Sequence, residues 1–508
     1  MSHLHWPWLE LGILIPLLGA AVAARFRDPR DSRRWSLVFS GATLACTLCA
    51  WQDFTTLHTF EADDRWRFLS DLCGRELFVI DELSAPLLPH VALLYFLTGF
   101  ATLRTKVRRF SFPGMLVSLA FTLATFSSKQ PWLIILLLAL GTVRPYLELR
   151  ARGQPARVYA VHMAAYVALL VLGQTFVSRE EGEQVHSLWA ILPLLVAILI
   201  RGGIVPFHCW LTELFDHATF GTALLFVTPL TGAYAAMRLV LPIAPDWVLR
   251  SLGLLSMFTA VYAAAMALVQ TEGRRFFARL FLSHSALVLV GLDIVTPIGL
   301  TGALCIWLSV GLSLGGFGLT LRALESRRGR LSLVDFQGLY DHMPALAICF
   351  LITGLGCTGF PGTVGFVGTE LLVDGAVEAY PYMGAAVVIA TALNSIAFVQ
   401  TYFRVFTGTR YASSVSLALD RREQAAVLTL MALILAGGLV PQFAVSKRHH
   451  AAVMLLQQRG VRSSAQRWED HSSRPARDVT DPAATSPPHP QARRSGTFAG
   501  GDGLRGGT

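Results

Sequence analysis

The chain has 508 residues, of which 53% are hydrophobic and only 15% are charged, whereas soluble domains carry roughly 25% charged residues. Its formal net charge of +9 comes from basic clusters that stand between long apolar runs. This composition excludes a soluble globular protein. The clustering of the charges argues against nucleic-acid binding and indicates a polytopic membrane protein.

Apolar runs predict the secondary structure in chain order. Runs such as 131–140, 166–172 and 189–200 are continuous rather than alternating. This favours helices over strands, because lipid allows only helices or closed barrels to span it. About fourteen runs approach the roughly 20 residues that cross a bilayer, the last near 424–440. We therefore predict an all-α membrane protein with about fourteen transmembrane helices.

Composition divides the chain into five segments. Residues 1–110 hold three spans and one longer loop, and residues 111–245 and 246–410 hold the next ten spans. Residues 411–456 hold a C-terminal helix, and residues 457–508 are rich in Arg, Ser, Pro and Gly. Because this last segment has too little apolar surface to offset its ordering entropy, we predict that it is a disordered tail.

Basic clusters predict the orientation of the spans. Arg and Lys follow every second span, at residues 25–34, 104–109, 150–157, 274–279 and 322–330. Positive charge is retained on the cytoplasmic side of membrane proteins. We therefore expect these loops in the cytoplasm and the N-terminus outside, in a bacterial inner (plasma) membrane. Seven cysteines are scattered, mostly inside spans, and predict neither a disulfide framework nor a zinc site.

Two apolar segments are interrupted by helix-breaking residues. The first, at 200–208, contains Pro206, and the second contains Gly359, Pro361 and Gly362. Proline removes a backbone donor and glycine loosens the helix, so each segment alone is also consistent with an ordinary kink. Interruptions in corresponding halves of a membrane protein, each beside a charge, indicate an ion site.

These motifs resemble the antiporter-like membrane subunits of complex I, in particular NADH-quinone oxidoreductase chain M, or mitochondrial subunit 4. The run Pro-Phe-His-Cys-Trp-Leu at 206–211 is similar to the first family signature. The run Gly-Phe-Pro-Gly-Thr-Val-Gly-Phe-Val-Gly-Thr-Glu at 359–370 is similar to the second. Segments 81–84 and 272–284 resemble two further family elements. The resemblance covers roughly residues 75–410 and is that of a divergent member.

The resemblance implies a fourteen-helix fold with two inverted five-helix repeats, at 111–245 and 246–410, and two discontinuous helices. It implies a half-membrane proton channel in each repeat, joined by a central polar axis. It also implies that this subunit holds no cofactor and no metal, since NADH oxidation and quinone reduction occur elsewhere. Its expected partners are other membrane subunits of a complex-I-like or related transport assembly and the lipid bilayer.

The resemblance also implies site residues. The lysine before the first break falls on Arg201, which keeps the charge but cannot deprotonate in a protein. The histidine of the Ser-His element is His284, which titrates near neutral pH. The exit glutamate lies at Glu370, one residue late and thus turned by about 100° on a regular helix, with Asp374 one turn on. His208 matches the first signature and is expected to shape its loop.

Other family channel groups are missing. The paired glutamate falls on Leu140, the next lysine near Leu230 and the next histidine on Val310. Arg144 and Glu148 are spaced to pair on one helix face. Their place near the cytoplasmic helix end favours an interfacial pair, although a relocated channel pair is the alternative.

The lysine content indicates that the channel chemistry is altered. The chain has three lysines, Lys106, Lys129 and Lys447, and none lies in the middle of a predicted span. The fold motifs therefore survive while the buried lysines do not. We expect Arg201, His284 and Glu370 to line one polar path, and ordinary proton pumping to be changed.

Four functions remain compatible with the sequence. The first is a chain-M-type proton-translocating subunit of an NADH:quinone oxidoreductase. The others are the membrane partner of a two-component inorganic-carbon (CO2/bicarbonate) uptake system, a cation/proton antiporter subunit, and a structural segment with a decayed channel. The lost lysines weaken the first and third interpretations. The order of the two break motifs favours the first, as a translocase subunit without catalytic residues of its own.

Overall fold

The computed structural model describes residues 2–66, 77–103, 107–108, 110–180, 186–408 and 420–472, without the side chains of 443 and 460–472. Within these residues, nine helices are long and apolar enough to cross a membrane, and four shorter helices are apolar. The protein is thus a helical, multi-pass membrane protein. Most of the predicted basic loop at 104–109 and the tail beyond 472 lie outside the described residues.

Apolar runs form the helices, and polar or proline-containing stretches separate them. In chain order the helices are α1 (Trp8–Arg25), α2 (Pro29–Leu57), α3 (Leu87–Phe100), α4 (Phe112–Phe126), α5 (Pro131–Ala151), α6 (Arg157–Arg179), α7 (Leu188–Gly202), α8 (Cys209–His217), α9 (Phe220–Val240), α10 (Asp246–Leu268), α11 (Gly273–Ile294), α12 (Pro297–Arg328), α13 (Pro344–Cys357), α14 (Val364–Ala379), α15 (Pro381–Phe406), α16 (Arg421–Leu439) and α17 (Gln442–Ser472).

A small sheet, which the all-α prediction missed, packs at one end of the bundle. Strand β1 (Ser2–Leu4) pairs in parallel with β2 (Glu61–Asp64), and β2 pairs antiparallel with β3 (Val79–Asp81). Strands of three or four residues give too short a pattern to detect beside long apolar runs. The Asp64 carboxylate accepts hydrogen bonds from the backbone N–H groups of Leu9 and Glu10, so the sheet holds the start of α1.

The helical path is interrupted at both places that the sequence motifs indicate. Helix α7 ends at Gly202, Gly203 adopts a left-handed φ of +69°, and α8 begins at Cys209. Helix α13 ends at Cys357, and α14 begins only at Val364. Gly359 and Gly362 between them have φ values of +73° and +85°, which only glycine adopts without strain. Pro206 and Pro361 lie in these connections.

Two further irregularities lie in α9 and α12. Leu230 in α9 has a φ of +52°, and the turn that follows at Ala236–Val240 is a π-helix. Helix α12 contains a π-helical stretch at Val310–Leu314. π-helical turns are rare and occur often at functional sites. Both helices are enclosed by the bundle, with 89% of the span buried in each, and α11 is 94% buried. These three helices form its centre.

Charged residues at the helix ends fasten the bundle. Three ion pairs join the ends of different helices or loops: Arg274 with Glu325, Arg275 with Asp216, and Arg327 with Glu423. A second network lies next to β3, where Asp81 accepts from Arg238 at 2.8 Å and lies 3.3 Å from Lys129. Burial alone would raise the pKa of Asp81, but the two cations hold it well below its usual range.

Helix α17 corrects the predicted boundary of the C-terminal tail. Residues 457–472, expected in the tail, continue this helix, which is separate from α16. Arg448, only 1% exposed, donates to the carbonyl oxygens of Glu82 at 2.6 Å and Leu83 at 3.1 Å. Extending an existing helix costs less than starting one, so a polar segment can continue a helix that is anchored upstream.

We predict that Arg448→Met loosens α17. The change removes two charge-assisted hydrogen bonds and leaves two carbonyl oxygens without this donor, a loss of about 3 kcal/mol. The measurement is thermal unfolding of the purified protein in detergent, with trypsin cleavage in α17 as a second readout. His450→Ala is the matched control, because that side chain is 66% exposed on the same helix. Equal unfolding midpoints for the two variants would contradict the anchoring role.

We also predict that Asp64 makes stability depend on pH. Burial is the largest cause that raises the pKa of Asp64 to about 7, so the folded protein favours the protonated acid. Its contribution is full below the unfolded pKa near 4 and is lost as the pH rises towards 7. Asp64→Asn retains a side-chain acceptor for the first turn of α1 and should flatten this part of the stability curve. A Tm series from pH 4 to pH 8 in which both proteins keep the same slope would contradict the assignment.

Candidate proton path and central cavity

Arg201 lies at the end of α7, beside the first break, and is only 6% exposed. Its Nη2 donates at 3.0 Å to the carbonyl oxygen of Phe226 and at 3.0 Å to Oγ1 of Thr231. The guanidinium stands 4.2 Å from the ring centre of Phe226 and 5.6 Å from that of Trp210. No carboxylate in the described part of the chain forms an ion pair with it, so its charge is solvated only by dipoles and aromatic faces.

The indole of Trp210 explains why the break holds its shape. Its Nε1 donates at 2.7 Å to the carbonyl oxygen of Ile200, in the last turn of α7, and the ring is fully buried. Although the helix ends here, this buried backbone carbonyl still has a hydrogen-bond donor, as buried backbone groups require. His208 caps α8 and packs edge-on against Tyr262 with ring centres 5.7 Å apart, which places it in the loop after the break.

A cavity opens between α3, α4, α5, α7 and α9, with about 40 Å³ for the centres of water molecules. That is room for roughly three waters. Two guanidinium groups and six hydroxyl groups line it: Arg144, Arg201, Tyr95, Ser118, Thr122, Thr125, Thr222 and Thr231. The remaining lining side chains are apolar, and no carboxylate from the described residues is among them. The cavity therefore places polar and positively charged groups in a wall that is otherwise mostly apolar.

The side chains of Arg144 and Glu148 contact different parts of the structure. Arg144 lines the cavity and donates to the carbonyl oxygen of Ser111 at 3.3 Å. Glu148 lies 3.8 Å from both Arg144 and Arg152, but it accepts from the backbone N–H of Thr219 at 2.8 Å. Thr219 is the cap of the first segment of α9, so Glu148 stabilises a helix N-terminus. The structure thus places Arg144 at the cavity and Glu148 at a helix N-terminus, and the interfacial or channel role of the pair stays a prediction.

Leu140, on which the resemblance places the missing glutamate, does not line the cavity. Leu140 is 37% exposed on the outer face of α5, whereas Gly141 lines the cavity. Side chains one residue apart on a helix point about 100° apart. The side of α5 that faces Arg201 is thus occupied by Leu137, Gly141 and Arg144, with no carboxylate among them.

A smaller cavity links Arg201 towards the centre of the bundle. It has about 20 Å³ for water centres and is lined mainly by apolar groups, with Arg201 at one side and Ser285 of α11 at another. Gly232 packs so closely on Arg201 that an added Cβ would lie 2.9 Å from its Cγ. Arg201 thus stands between the polar cavity and α11, the helix that carries His284.

His284 joins α11 to the second break. It is 7% exposed, with Nδ1 at 2.8 Å from the carbonyl oxygen of Leu280 and Nε2 at 2.5 Å from that of Cys357. Cys357 is the last residue of α13, so the break supplies an accepting carbonyl. A neutral imidazole has one N–H and can satisfy one of these two acceptors, whereas the protonated form satisfies both. The geometry therefore accommodates both the neutral and the protonated imidazole.

The neighbouring residue extends this polar centre. Ser283 donates from Oγ to the carbonyl oxygen of Ala260 and accepts from Asn394 Nδ2 at 2.8 Å. Asn394 is fully buried in α15, and its Oδ1 has no hydrogen-bond partner among the described residues. A buried acceptor of this kind is satisfied most readily by water.

Glu370 and Asp374 do not lie on this path. Both are exposed on the outside of α14, as is Glu378 one turn further. The motif places the glutamate one residue earlier, and α14 runs from Val364 to Ala379 as a regular helix with no bulge. The offset of about 100° therefore persists and turns the carboxylates away from His284.

Sequence reasoning missed His90 and Arg279. His90 in the second turn of α3 packs against Gly311, where an added Cβ would lie 1.7 Å from Nε2. Gly311 follows Val310, the position of the missing family histidine, and Nε2 of His90 has no partner among the described residues. Arg279 was assigned to a basic loop but lies in α11, 5.8 Å from the ring centre of Tyr262. The sequence signal that could have identified both residues is a lone ionisable side chain inside an otherwise apolar span.

The polar groups of the site are of the kinds that bind or conduct ions and protons. Within the described residues, no group of three or more His, Cys, Asp or Glu side chains is placed to hold a metal ion. The polar groups that converge are guanidinium, imidazole, hydroxyl and backbone carbonyl. These groups conduct or bind ions and protons but carry no nucleophile beside a base.

Comparison with known proteins agrees with the motifs. Residues 161–394 match the family model described as NADH:quinone oxidoreductase/Mrp antiporter, TM. The chain is 28% identical over 403 residues to NAD(P)H-quinone oxidoreductase chain 4 1 of Synechococcus elongatus, covering 73% of this chain and 75% of the relative. It is 27% identical over 385 residues to NADH-quinone oxidoreductase subunit 13 of Thermus thermophilus, covering 71% and 81%.

Solved structures have the same fold. A chain of respiratory complex I from Thermus thermophilus with bound NADH superposes with a TM-score of 0.77 at 22% identity, covering 89% of this chain and 99% of that chain. A chain of the Mrp complex from Dietzia sp. DQ12-45-1b gives 0.73 at 18% identity, covering 88% and 97%. The chain therefore shares the fold of these proteins, and its residues 161–394 are similar to the transmembrane region described by the family model, which confirms the resemblance of its sequence motifs.

Proposed function

We propose that this chain is a proton-translocating, antiporter-like membrane subunit of an NADH:quinone oxidoreductase-type complex, with altered channel residues. The observation that carries the proposal is His284, buried at the centre of the bundle with both ring nitrogens on carbonyl oxygens. One of those carbonyls belongs to the end of a broken helix. The relatives are named as chains of NAD(P)H- or NADH-quinone oxidoreductase, so we propose that type of complex as the assembly. Its other membrane subunits would be the partners of this chain.

In this proposal the proton moves through the second half of the molecule, residues 246–410, which contains His284. A proton entering at His284 satisfies the second carbonyl acceptor, and its departure through either ring nitrogen restores the neutral form. His90 provides a second imidazole beside the π-helical stretch of α12. It takes the place that the resemblance reserves for a histidine at Val310. This chain therefore needs imidazole groups and water, and no cofactor.

In the first half of the molecule, residues 111–245, Arg201 does not relay protons. A guanidinium remains charged under all physiological conditions, so it cannot release and regain a proton. A fixed positive charge at the first break instead repels protons from this half. The loss of the lysine thus converts a relay position into an electrostatic barrier.

Membrane placement follows from the same proposal. The bundle crosses the bacterial plasma membrane about fourteen times, with residues 111–245 and 246–410 as inverted repeats and the N-terminus outside. Glu370, Asp374 and Glu378 then form a carboxylate row on an exposed helix face. Charged groups are costly in lipid, so this face is covered by a neighbouring membrane subunit or by water.

We predict that His284→Gln lowers proton uptake about tenfold or more when the assembled complex is reconstituted in vesicles. Glutamine keeps polar contacts with the carbonyls but cannot carry a proton. The matched control is His162→Gln, because His162 is only partly buried on α6 and its Nδ1 also faces a carbonyl oxygen one turn away. Wild-type proton uptake by an assembled His284→Gln complex would refute this route.

We predict that Arg201→Lys raises proton flux through the first half, and that Arg201→Gln raises it by less, because glutamine removes the barrier without supplying a group that titrates. Lysine retains the charge but can lose its proton when neighbours and burial favour the neutral amine. Proton uptake per electron transferred, measured in the same vesicles, separates added flux from faster turnover. If the lysine variant takes up as many protons per electron as the wild type, then Arg201 is not by itself the barrier to proton flow through residues 111–245.

A further inference from the structure

We infer that the polar cavity at Arg144 and Arg201 is a binding site for a small monovalent inorganic anion, of the size of chloride or bicarbonate. The cavity brings together two guanidinium groups and six hydroxyl groups, and no described carboxylate lines it. Guanidinium groups bind planar oxyanions through paired hydrogen bonds. Four of the six hydroxyl groups donate to protein acceptors, whereas those of Ser118 and Thr231 donate to no acceptor among the described residues and can add hydrogen bonds to an anion. The lining therefore matches an anion and not a cation.

Local charge balance gives the physical need for such a ligand. Glu148 is the nearest carboxylate to the cavity among the ion pairs of the described residues, and it is shared between Arg144 and Arg152 at 3.8 Å each. Its oxygens also accept from Thr219 and Thr222, which directs it to the end of α9. Arg201 remains without a carboxylate. A buried charge without a partner is strongly destabilising, so an anion in the cavity would stabilise this region.

The directions of the hydrogen bonds leave donors free for the ligand. The recorded hydrogen bonds of Arg201 use Nη2, and those of Arg144 also use Nη2. Each guanidinium carries five N–H groups in a planar fork. Both side chains line the cavity, so N–H groups beyond those in these hydrogen bonds are available to a ligand there. A nearby guanidinium, Arg322, stands 5.1 Å from the ring centre of Phe110, another cavity-lining residue, and adds to the positive potential.

The size of the cavity limits the ligand. Space for roughly three waters admits one halide with a water, or one oxyanion of three or four non-hydrogen atoms. A phosphate ester or an organic acid with a chain would not fit without rearrangement. The barrier of lipid-facing helices around the cavity also disfavours a multivalent anion, because each added charge raises the desolvation cost.

The test is chloride binding to the purified full-length chain in detergent, measured by the line width of the ³⁵Cl resonance. The expected result is excess broadening that saturates and is displaced by bromide, nitrate or bicarbonate but not by gluconate, which is too large. The relative strength of bicarbonate and bromide as competitors identifies which source of anion the site prefers. Absence of saturable broadening together with absence of competition by any of these anions would overturn the inference.

Matched variants locate the binding. Arg201→Gln and Arg144→Gln should each weaken chloride binding about tenfold, since a hydrogen bond to a charged group contributes about that factor. Arg152→Gln is the control, because it removes an equal charge beside Glu148 from outside the cavity. Equal affinity in Arg201→Gln and in the wild type would place the anion elsewhere and overturn the inference.

A third variant blocks the space and leaves every charge in place. Gly141 lines the cavity, and a Cβ added there meets no atom within 4 Å. Gly141→Leu should therefore abolish saturable chloride binding while the helix retains or gains stability. Retained binding in this variant would count against the cavity. The measurement requires no proton flux, so failure of anion binding leaves the proposed function standing, and failure of proton transport leaves the anion site standing.

Discussion

The rest of the structure depends on one constraint, which is a permanent positive charge held inside an apolar bundle at the end of a broken helix. Arg201 is nearly inaccessible, and its recorded partners are a carbonyl, a hydroxyl and two aromatic rings. None of these partners carries a negative charge. Ionisable groups within a membrane are costly, so they persist where neighbouring groups or water solvate them. The break, the hydroxyl-lined cavity and the second arginine are all consequences of accommodating this group.

The same constraint separates the two halves of the molecule. The first half contains guanidinium groups that never change charge, whereas the second contains His284 between two carbonyl oxygens. The small cavity between Arg201 and Ser285 brings the halves close without a titratable relay in its lining. An anion held near Arg201 would lower the positive potential that His284 experiences. Anion occupancy would therefore make it easier for a proton to enter the second half.

Much of the site was accessible from sequence because it rests on local chemistry. Glycine and proline determine where helices break, and their spacing placed both interruptions and located Arg201 and His284 beside them. The expectation that Glu370 points into the polar path differs from the structure for a geometric reason. A one-residue offset in a motif is a rotation of about 100° on a helix, and only the structure shows that no bulge compensates it.

Other features depend on contacts between distant parts of the chain. His90 and Gly311 are more than two hundred positions apart, and no local pattern indicates that an imidazole from α3 fills space next to α12. The anchoring of α17 through Arg448 to the carbonyl groups of Glu82 and Leu83 is equally remote in sequence. Composition predicted disorder for residues 457–472, whereas the helix that begins at Gln442 continues through them. Local propensity is a weak guide where tertiary contacts decide.

The changes at the first break are best understood as one coupled replacement. The cavity-facing side of α5 carries Leu137, Gly141 and Arg144, so it offers no carboxylate to a cation on α7. A lysine at position 201 could respond to that loss by releasing its proton, but an arginine cannot. Loss of the carboxylate together with retention of a permanent cation therefore requires charge compensation from another source. A diffusible anion supplies that compensation and, unlike a fixed carboxylate, makes the charge of this half depend on anion concentration.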